Sequence, residues 1–392
     1  MTVARRPQLT ERAAEAMSAR ARASLLRRLR TVEAVDGAYV AIDGKRLLNF
    51  ASNDYLGLSQ HPALRDALIA AATRWGVGAT AAHLLGGHRD EHAALEEALA
   101  HWTGRERALL FSDGWMANLG VVAALTGDGD LCVQDKLNHA SLIDAARLAG
   151  CELKRYPHGD FDGARRQLAS CPDAAALVAS DGVFSMDGDV APLSELARVC
   201  ADQRATLMIE DAHGLGVLGE EGAGSVAEAR LSQDEVPILM ATLGKALGVA
   251  GAFVAGSAAL VDALLQSART YIYTTAMPPA LAAAARAAID IARFEGWRRD
   301  RLAHLVAHFR AGAIESGFEI MDSRTPIQPL VVGASERALA IAANLEANGF
   351  YVPAIRPPTV PDGKARLRIT LTALHSASDV ERLLASLARA IA

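Results

Sequence analysis

The feature that most constrains this chain is an alternation running through its middle. Seven short apolar runs, Ala108–Phe111, Leu131–Gln134, Cys151–Tyr156, Ala176–Ser180, Leu207–Glu210, Ile238–Thr242 and Ala252–Ala255, are mostly separated by Ala- and Leu-rich stretches of helical spacing, such as Ala191–Arg204. Runs this short fit buried strands. Strands that alternate with helices build a mostly parallel sheet, because a parallel pair needs a crossover long enough to hold a helix. The expected class is therefore α/β, a mostly parallel central sheet flanked by helices.

The flanks read differently. Glu11 to Arg30 has the composition of a helix, and Tyr39–Phe50 reads as a hairpin turning at Asp43-Gly44. Beyond Ala284 a long helical stretch leads into strands Ile327–Val332, Tyr351–Pro353 and Ala365–Thr370 with helices Ser335–Asn348 and Ser378–Ala390, a smaller C-terminal α+β domain. The expected division is 1–50 for an N-terminal helix and hairpin segment, 51–285 for a large domain and 286–392 for the small one. A length of 392 residues suits about two domains.

Composition narrows the function classes. With 51% hydrophobic and 22% charged residues the chain can bury a large core and is not mainly disordered. A net charge of -5 offers nothing to nucleic acid or an acidic membrane. The most apolar long stretch, Pro279–Phe294, is interrupted by Arg286, Asp290 and Arg293, so no run is expected to span a bilayer. The arginine-rich start (Arg5, Arg6, Arg12, Arg20, Arg22) lacks a secretory apolar core, and Glu11 and Glu15 argue against a transit peptide. Cys132, Cys151, Cys171 and Cys200 form no C-x-x-C pair, which disfavours a disulfide scaffold or a cysteine zinc site. The expected compartment is the cytoplasm, with no metal.

Parallel sheets bind ligands at the carboxyl ends of their strands. There the chain places an unusual set: Ser112-Asp113-Gly114-Trp115, Asp135 to His139, Asp181 to Ser185, Glu210-Asp211-Ala212-His213 and Thr242-Leu243-Gly244-Lys245. Each alone is an ordinary turn or a solvated side chain. Together they bring an amine, carboxylates, imidazoles, hydroxyls and a glycine-containing helix start to one edge. That set suits an aldehyde cofactor with a pyridine ring and a phosphate. The amine binds the aldehyde, a carboxylate keeps the ring nitrogen protonated, an imidazole stacks, and amides at a helix start hold the phosphate.

Two rival motifs were weighed. Gly214-Leu215-Gly216-Val217-Leu218-Gly219 matches the G-x-G-x-x-G dinucleotide fingerprint. It runs into Glu220-Glu221-Gly222-Ala223-Gly224 instead of an apolar helix, against an NAD-dependent dehydrogenase. His88-Arg89-Asp90-Glu91-His92 matches the H-x-x-E-H pattern of zinc hydrolases. It reads better as a solvated, charged first helical turn.

The quoted strand-end segments, with Asn49-Phe50-Ala51-Ser52-Asn53-Asp54-Tyr55-Leu56-Gly57-Leu58, Asn138-His139-Ala140-Ser141, Gly182-Val183-Phe184-Ser185-Met186-Asp187-Gly188-Asp189 and Tyr273-Thr274-Thr275-Ala276-Met277-Pro278-Pro279, resemble the α-oxoamine synthases. The resemblance runs from about Leu47 to the C-terminus. It implies the pyridoxal-phosphate (PLP) dependent transferase fold type I and a decarboxylating condensation of an amino acid with an acyl thioester. Ala354 to Pro361, Ala365 to Arg368 and Asp187 to Leu193 look most like the branch that joins L-alanine to a pimeloyl thioester. A sibling branch using glycine and acetyl-CoA is the alternative. The thiol carrier, CoA or acyl-carrier protein, is left open, and a homodimer is implied.

By motif the resemblance assigns Lys245 as the imine lysine and His139 as the stacking ring. Ser185 and His213 face the phenolic oxygen, and Gly114, Trp115 and Thr242 meet the phosphate with Thr274 or Thr275 of a second subunit. Arg368 holds the substrate carboxylate, and Arg27, Asn53 and Thr359 border the substrate. Lys245, His139, Glu210 and His213 form the expected catalytic set. Two departures stand out. Where the family usually has Asp as the ring-nitrogen partner this chain has Glu210, followed by Asp211. Strand alternation lets only one face the ring, and register favours Glu210. The stretch Gly78 to Gly87 is poorer in Ser and Gly than the family's, with His83 where Arg is common.

Overall fold

The protein is described by a computed structural model covering residues 6, 8–23 and 25–391. Arg5, one of the arginines of the chain's start, and Ser24, inside the stretch expected to be helical, lie outside the described residues. An N-terminal helix, Leu9–Arg22, precedes three strands: β1 (Val32–Asp36), β2 (Tyr39–Ile42) and β3 (Lys45–Asn49). Then come the seven strands of the central sheet: β4 (Arg107–Phe111), β5 (Leu131–Asp135), β6 (Glu152–Tyr156), β7 (Ala176–Asp181), β8 (Thr206–Glu210), β9 (Ile238–Thr242) and β10 (Ala252–Gly256). The C-terminal part adds β11 (Ile327–Gly333), β12 (Phe350–Tyr351), β13 (Ala354–Ile355) and β14 (Ala365–Thr370). All seven expected central strands form within one residue of their expected ends.

The central sheet runs β4-β10-β9-β8-β7-β5-β6. Every pair is parallel except those of β10, which runs antiparallel to both β4 and β9. The chain goes from β5 outward to β6, then back past β5 to β7 and on to β8 and β9. The order therefore reverses between β5 and β7, where open α/β sheets bind ligands. Both faces are covered, which is why these strands are continuously apolar rather than alternating. One face packs Ala179, Met208 and Met240 with Phe111, Ala117 and Leu142. The other packs Val178, Leu207, Ile209 and Leu239 with Leu196 and Val226.

Three local expectations need correction. The N-terminal helix stops at Arg22 instead of reaching Arg30. None of its residues is buried, so only intrinsic propensity supports it. Beyond it, Arg30 pairs with Glu346 and with Asp43 at 2.7 Å, and these contacts hold the segment out of helix. The strand expected at Tyr351–Pro353 is Phe350–Tyr351, and it joins the N-terminal sheet, parallel to β3, rather than the C-terminal one. Pro353 lacks the N–H that would extend it. Beyond Pro353, β13 pairs with β14, which lies between β13 and β11 in a three-stranded antiparallel sheet. Finally, the hairpin carries a further strand, β1, antiparallel to β2.

The segment after β3 is tied to the end of β14. Thr370 N–H donates to Phe50 O at 2.8 Å and Ala373 N–H to Tyr55 O at 2.8 Å. These two bonds carry Asn53 and Tyr55 to the edge where the central strands end. No helix among the described residues is long and apolar enough to cross a membrane.

Candidate active site

Lys245 sits three residues past β9, in the turn after Thr242. Its Nζ lies 2.9 Å from His213 Nε2. Burial lowers its pKa from the usual lysine value, against the pull of Glu210 and Asp181. A lowered amine is the form that can attack a carbonyl.

His213 links Lys245 to the C-terminal part. Its Nδ1 is 2.6 Å from the Tyr55 hydroxyl, which donates to Asn53 Oδ1 at 3.3 Å. Arg368 Nη1 donates to the same Asn53 oxygen at 3.2 Å, and its Nε to Ser185 O at 2.7 Å. Tyr55 gives its hydrogen to Asn53, so it accepts from His213 Nδ1–H, which leaves the Nε2 lone pair for Lys245. Burial, then the charges of Lys245 and Arg368, push the His213 pKa well down, consistent with this neutral tautomer. Burial holds the Tyr55 hydroxyl up at about 12, so it keeps its proton.

The strand faces decide between Glu210 and Asp211. Glu210 shares its face with Met208, which packs with Met240 and Leu142 below the helix starts at Gly114 and Ala140. Its Oε1 accepts from Ala212 N–H at 2.9 Å. Asp211 projects to the opposite face. There its Oδ2 accepts from Ser225 N–H at 2.7 Å, and Gly214 and Gly224 approach so closely that a Cβ at either would collide with the carboxylate. Asp211, expected among the cofactor residues, is therefore turned away from the crevice.

His139 caps the helix Ala140–Ala149. Ser141 N–H donates to His139 Nδ1 at 3.4 Å, which makes that nitrogen an acceptor, so the Ser141 hydroxyl, itself accepting from Asn118 Nδ2 at 2.8 Å, gives its hydrogen to Nδ1 at 2.7 Å. In the neutral ring this puts hydrogen on Nε2. Burial lowers the His139 pKa, with Lys245 adding to the effect and Glu210 opposing it. Trp115 meets the ring edge-on at 5.7 Å between centroids. Gly114 and Trp115 open the twelve-residue helix Gly114–Leu125, whose cap Asp113 takes the Met116 N–H at 2.8 Å. The first amides remain for an anion at the helix start. The Thr242 hydroxyl donates to Gly251 O at 2.9 Å, so it would exchange that bond to meet a phosphate.

His139, His213 and Lys245 open into a cavity of about 1290 Å³ that Asn53, Ser185, Thr359 and Arg368 also line, whereas Glu210, Gly114, Trp115 and Thr242 are not among its lining residues. Arg27, 332 positions from Thr359, reaches it with Nη2 donating to Thr359 Oγ1 at 3.2 Å. Thr274 and Thr275 lie beside the start of the helix Gly114–Leu125: Ser112 Oγ donates to Thr275 O at 3.5 Å, and Thr274 Oγ1 lies 4.0 Å from Met116 Sδ.

Three groups escaped sequence reasoning. Tyr55 and Asp181 lay inside quoted motifs, yet nothing local marks their roles. Asp181 Oδ1 accepts from His139 N–H at 3.1 Å while Oδ2 is buried without a partner among the described residues. His158 bridges Asp135 at 3.1 Å and Asp189 at 2.9 Å. Burial opposes its charge, but the two carboxylates outweigh it and raise its pKa to about 10.

Both rival motifs acquire structural explanations. The glycine run from Gly214 folds back on itself, with Gly216 N–H on Gly222 O at 2.7 Å and Gly224 N–H on Leu218 O at 2.8 Å. The helix that follows, Ser225–Glu228, has only four residues, too short for a dinucleotide site. The expected solvated, charged turn holds at Asp90, which is exposed, but not at His92, which is fully buried; His88 is half-buried and the neighbouring His83 is buried. His92 Nδ1 accepts from Arg89 N–H at 2.9 Å and its Nε2 meets Met277 O at 2.8 Å, so neither nitrogen is left for a metal.

The crevice fits PLP on its own observations. An amine with one protein partner, a helix start with open amides, an imidazole with one exposed face and a buried unpartnered carboxylate oxygen converge there. The sequence profile described as aminotransferase class I and II matches residues 45–387. The chain is 54% identical to the 8-amino-7-oxononanoate synthase of Xylella fastidiosa (strain 9a5c) over 385 residues, 98% of this chain and 96% of that protein. A high-resolution structure of SPT with its PLP internal aldimine superposes with a TM-score of 0.94 at 27% identity, covering 98% of both chains. The crystal structure of 8-amino-7-oxononanoate synthase from Francisella tularensis gives a TM-score of 0.78 at 29% identity over 88% of this chain and 98% of that one.

Proposed function

Because the chain belongs to the class I and II aminotransferase family, and within it to the 8-amino-7-oxononanoate synthases, we propose that it joins L-alanine to a pimeloyl thioester. The products are 8-amino-7-oxononanoate, carbon dioxide and the free thiol carrier, a step of biotin synthesis. The observation that carries this reading is Lys245 at the strand-end crevice, 2.9 Å from His213, with Glu210 and His139 on the same edge.

PLP supplies an aldehyde that condenses with amines and a ring that takes up the electron pair left on the substrate's α-carbon. The chain's own residues do the rest. Lys245 would hold the cofactor through Nζ, and the same atom would take the substrate's α-proton. Its lowered pKa keeps that nitrogen available. Glu210 presents negative charge to the ring nitrogen and so favours its protonated form. His213, held by Tyr55, and Ser185 face the phenolic oxygen. His139 would cover the ring, and its Nε2–H would donate to the substrate's oxygens. Arg368 takes the alanine carboxylate, with Asn53 setting the guanidinium. Gly114, Trp115 and Thr242 hold the phosphate. Arg27 and Thr359 border the acyl chain.

The pimeloyl group arrives on CoA or an acyl-carrier protein, and the enzyme works as a cytoplasmic homodimer. Tyr273 is 71% exposed and Trp115 42% exposed beside the phosphate-binding helix start, which supports a second subunit bringing Thr274 or Thr275 to the phosphate. The three-part division at 50 and 285 belongs to the same reading.

The test is direct. The purified protein with PLP absorbs near the visible edge, and borohydride fixes the cofactor to Lys245. L-Alanine with pimeloyl-CoA or pimeloyl-acyl-carrier protein releases carbon dioxide faster than glycine with acetyl-CoA. A protein that stays colourless with added PLP would sink the proposal.

A further inference from the structure

Glu210 does not stand alone beneath the crevice. It closes β8, and Asp181 closes β7 directly beside it: the two are paired in register on neighbouring parallel strands. Residues so paired project to one face, and the strands lie about 4.8 Å apart. Asp181 is fully buried and Glu210 nearly so.

Their partners differ. Glu210 accepts from Ala212 N–H at 2.9 Å. Asp181 accepts from His139 N–H at 3.1 Å through one oxygen and holds the other buried without a partner among the described residues. Asn138 braces this arrangement, accepting from Asp181 N–H at 3.1 Å and donating to Ala179 O at 2.7 Å. The charged and titratable groups around the pair are Asp135, His139, Tyr156, Asp211, Lys245 and Arg368.

Two carboxylates one strand apart and out of water repel strongly when both are ionised, so one keeps its proton. Burial, then the charge of Glu210, pushes the Asp181 pKa well up, which makes Asp181 the neutral member.

We propose that Asp181 is a positioning residue for the cofactor ring: it forms one singly charged carboxylate pair with Glu210 while its second oxygen sets the backbone of His139. A single side chain then couples the carboxylate at the ring nitrogen to the imidazole over the ring's face. This inference rests on the PLP reading above and adds to it a residue that sequence reasoning gave no role.

A double-mutant cycle on the holoenzyme tests it. Asp181→Asn keeps the size and an acceptor for His139 N–H but removes the exchangeable proton. Glu210→Gln removes the charge. Both are compared with the parent and the double variant by PLP dissociation constant and by the pH midpoint of the bound cofactor's visible band. Glu210→Gln is expected to weaken PLP binding about tenfold or more and to lower the midpoint. Asp181→Asn is expected to change affinity about threefold and move the midpoint measurably, and to change neither further once Glu210 is Gln, because partners acting as a unit are non-additive. Additive effects, or an Asp181→Asn variant with parental affinity and midpoint, would overturn the inference. So would failure of Asp181→Asn to fold, since the amide keeps the side chain's size and its acceptor for His139 N–H. A parent protein that binds no PLP would instead defeat the underlying proposal.

Discussion

Two places in this molecule gather imidazoles and a carboxylate, and they are built on opposite terms. At the strand-end crevice, among the described residues, Lys245 has one hydrogen-bond partner, His139 presents Nε2–H outward, and Asp181 keeps one oxygen unmatched. At the start of the helix Asp90–Trp102, most of the ring nitrogens meet one another or the backbone. His83 and His88 meet at 2.9 Å through their Nδ1 atoms, His92 is taken at both nitrogens, and His83 stacks on Tyr271 at 5.0 Å. Burial, then the neighbouring His92 and His88, drives the His83 pKa down to about 3, so this ring stays neutral. A buried polar group with an open valence costs stability and is retained where something else binds. One whose valences are closed is part of the packing. Residue type alone does not separate the two cases.

Substitutions can break that comparison, and the largest effect belongs to the open site. Lys245→Ala should lower turnover by about 10³-fold or more, read in the carbon dioxide assay, with borohydride no longer fixing PLP to the chain. Arg27→Ala should raise KM for the acyl thioester about tenfold with kcat nearly unchanged, since it removes contact felt equally before and during reaction. Steady-state kinetics with both carriers would read this. A fall in kcat instead would move Arg27 from the border of the site to its chemistry.

The closed cluster should answer in stability. His92→Ala strands Arg89 N–H and Met277 C=O and opens a void, costing about 2–4 kcal/mol in urea unfolding, with the parental KM. A variant that lost its activity with its melting temperature intact would place that cluster on the functional side. The smallest effect concerns Asp211. Burial raises its pKa to about 7, above its unfolded value. As a raised carboxyl it contributes most below the unfolded value of about 3.9 and loses that contribution as pH rises through 7. The apoprotein of Asp211→Asn should therefore lose about one or two degrees less melting temperature between pH 5 and pH 8 than the parent.

Much of this was legible from residue order. The seven central strands announce themselves because each is buried on both faces and so is apolar throughout. Lys245, His139 and His213 follow such strands within a few residues, and the carboxyl ends of parallel strands share one edge. Register on β8 also placed Glu210 and Asp211 on opposite faces, and the packing of Met208 against one face and Ile209 against the other agrees.

Other features depend on partners far away in sequence. The helix expected to reach Arg30 ends at Arg22 because Glu346, more than 300 positions on, binds Arg30. Tyr351–Pro353 reads as a strand of the small C-terminal domain, yet the strand that forms, Phe350–Tyr351, pairs with β3. His92 reads as a solvated turn residue because Met277 O, its buried partner, is 185 positions away.

The sequence by itself determined the fold class, the sheet edge where polar groups gather and the place of Lys245 on that edge, because each follows from local apolar patterning and from what lies just beyond a strand's end. Only the tertiary structure decided which carboxylates stand together. Asp181 and Glu210 become neighbours because β7 and β8 are placed side by side in register, after the strand order has reversed at β5. Strand order is set by how helices pack over the whole sheet, and no window of sequence around either residue contains that information.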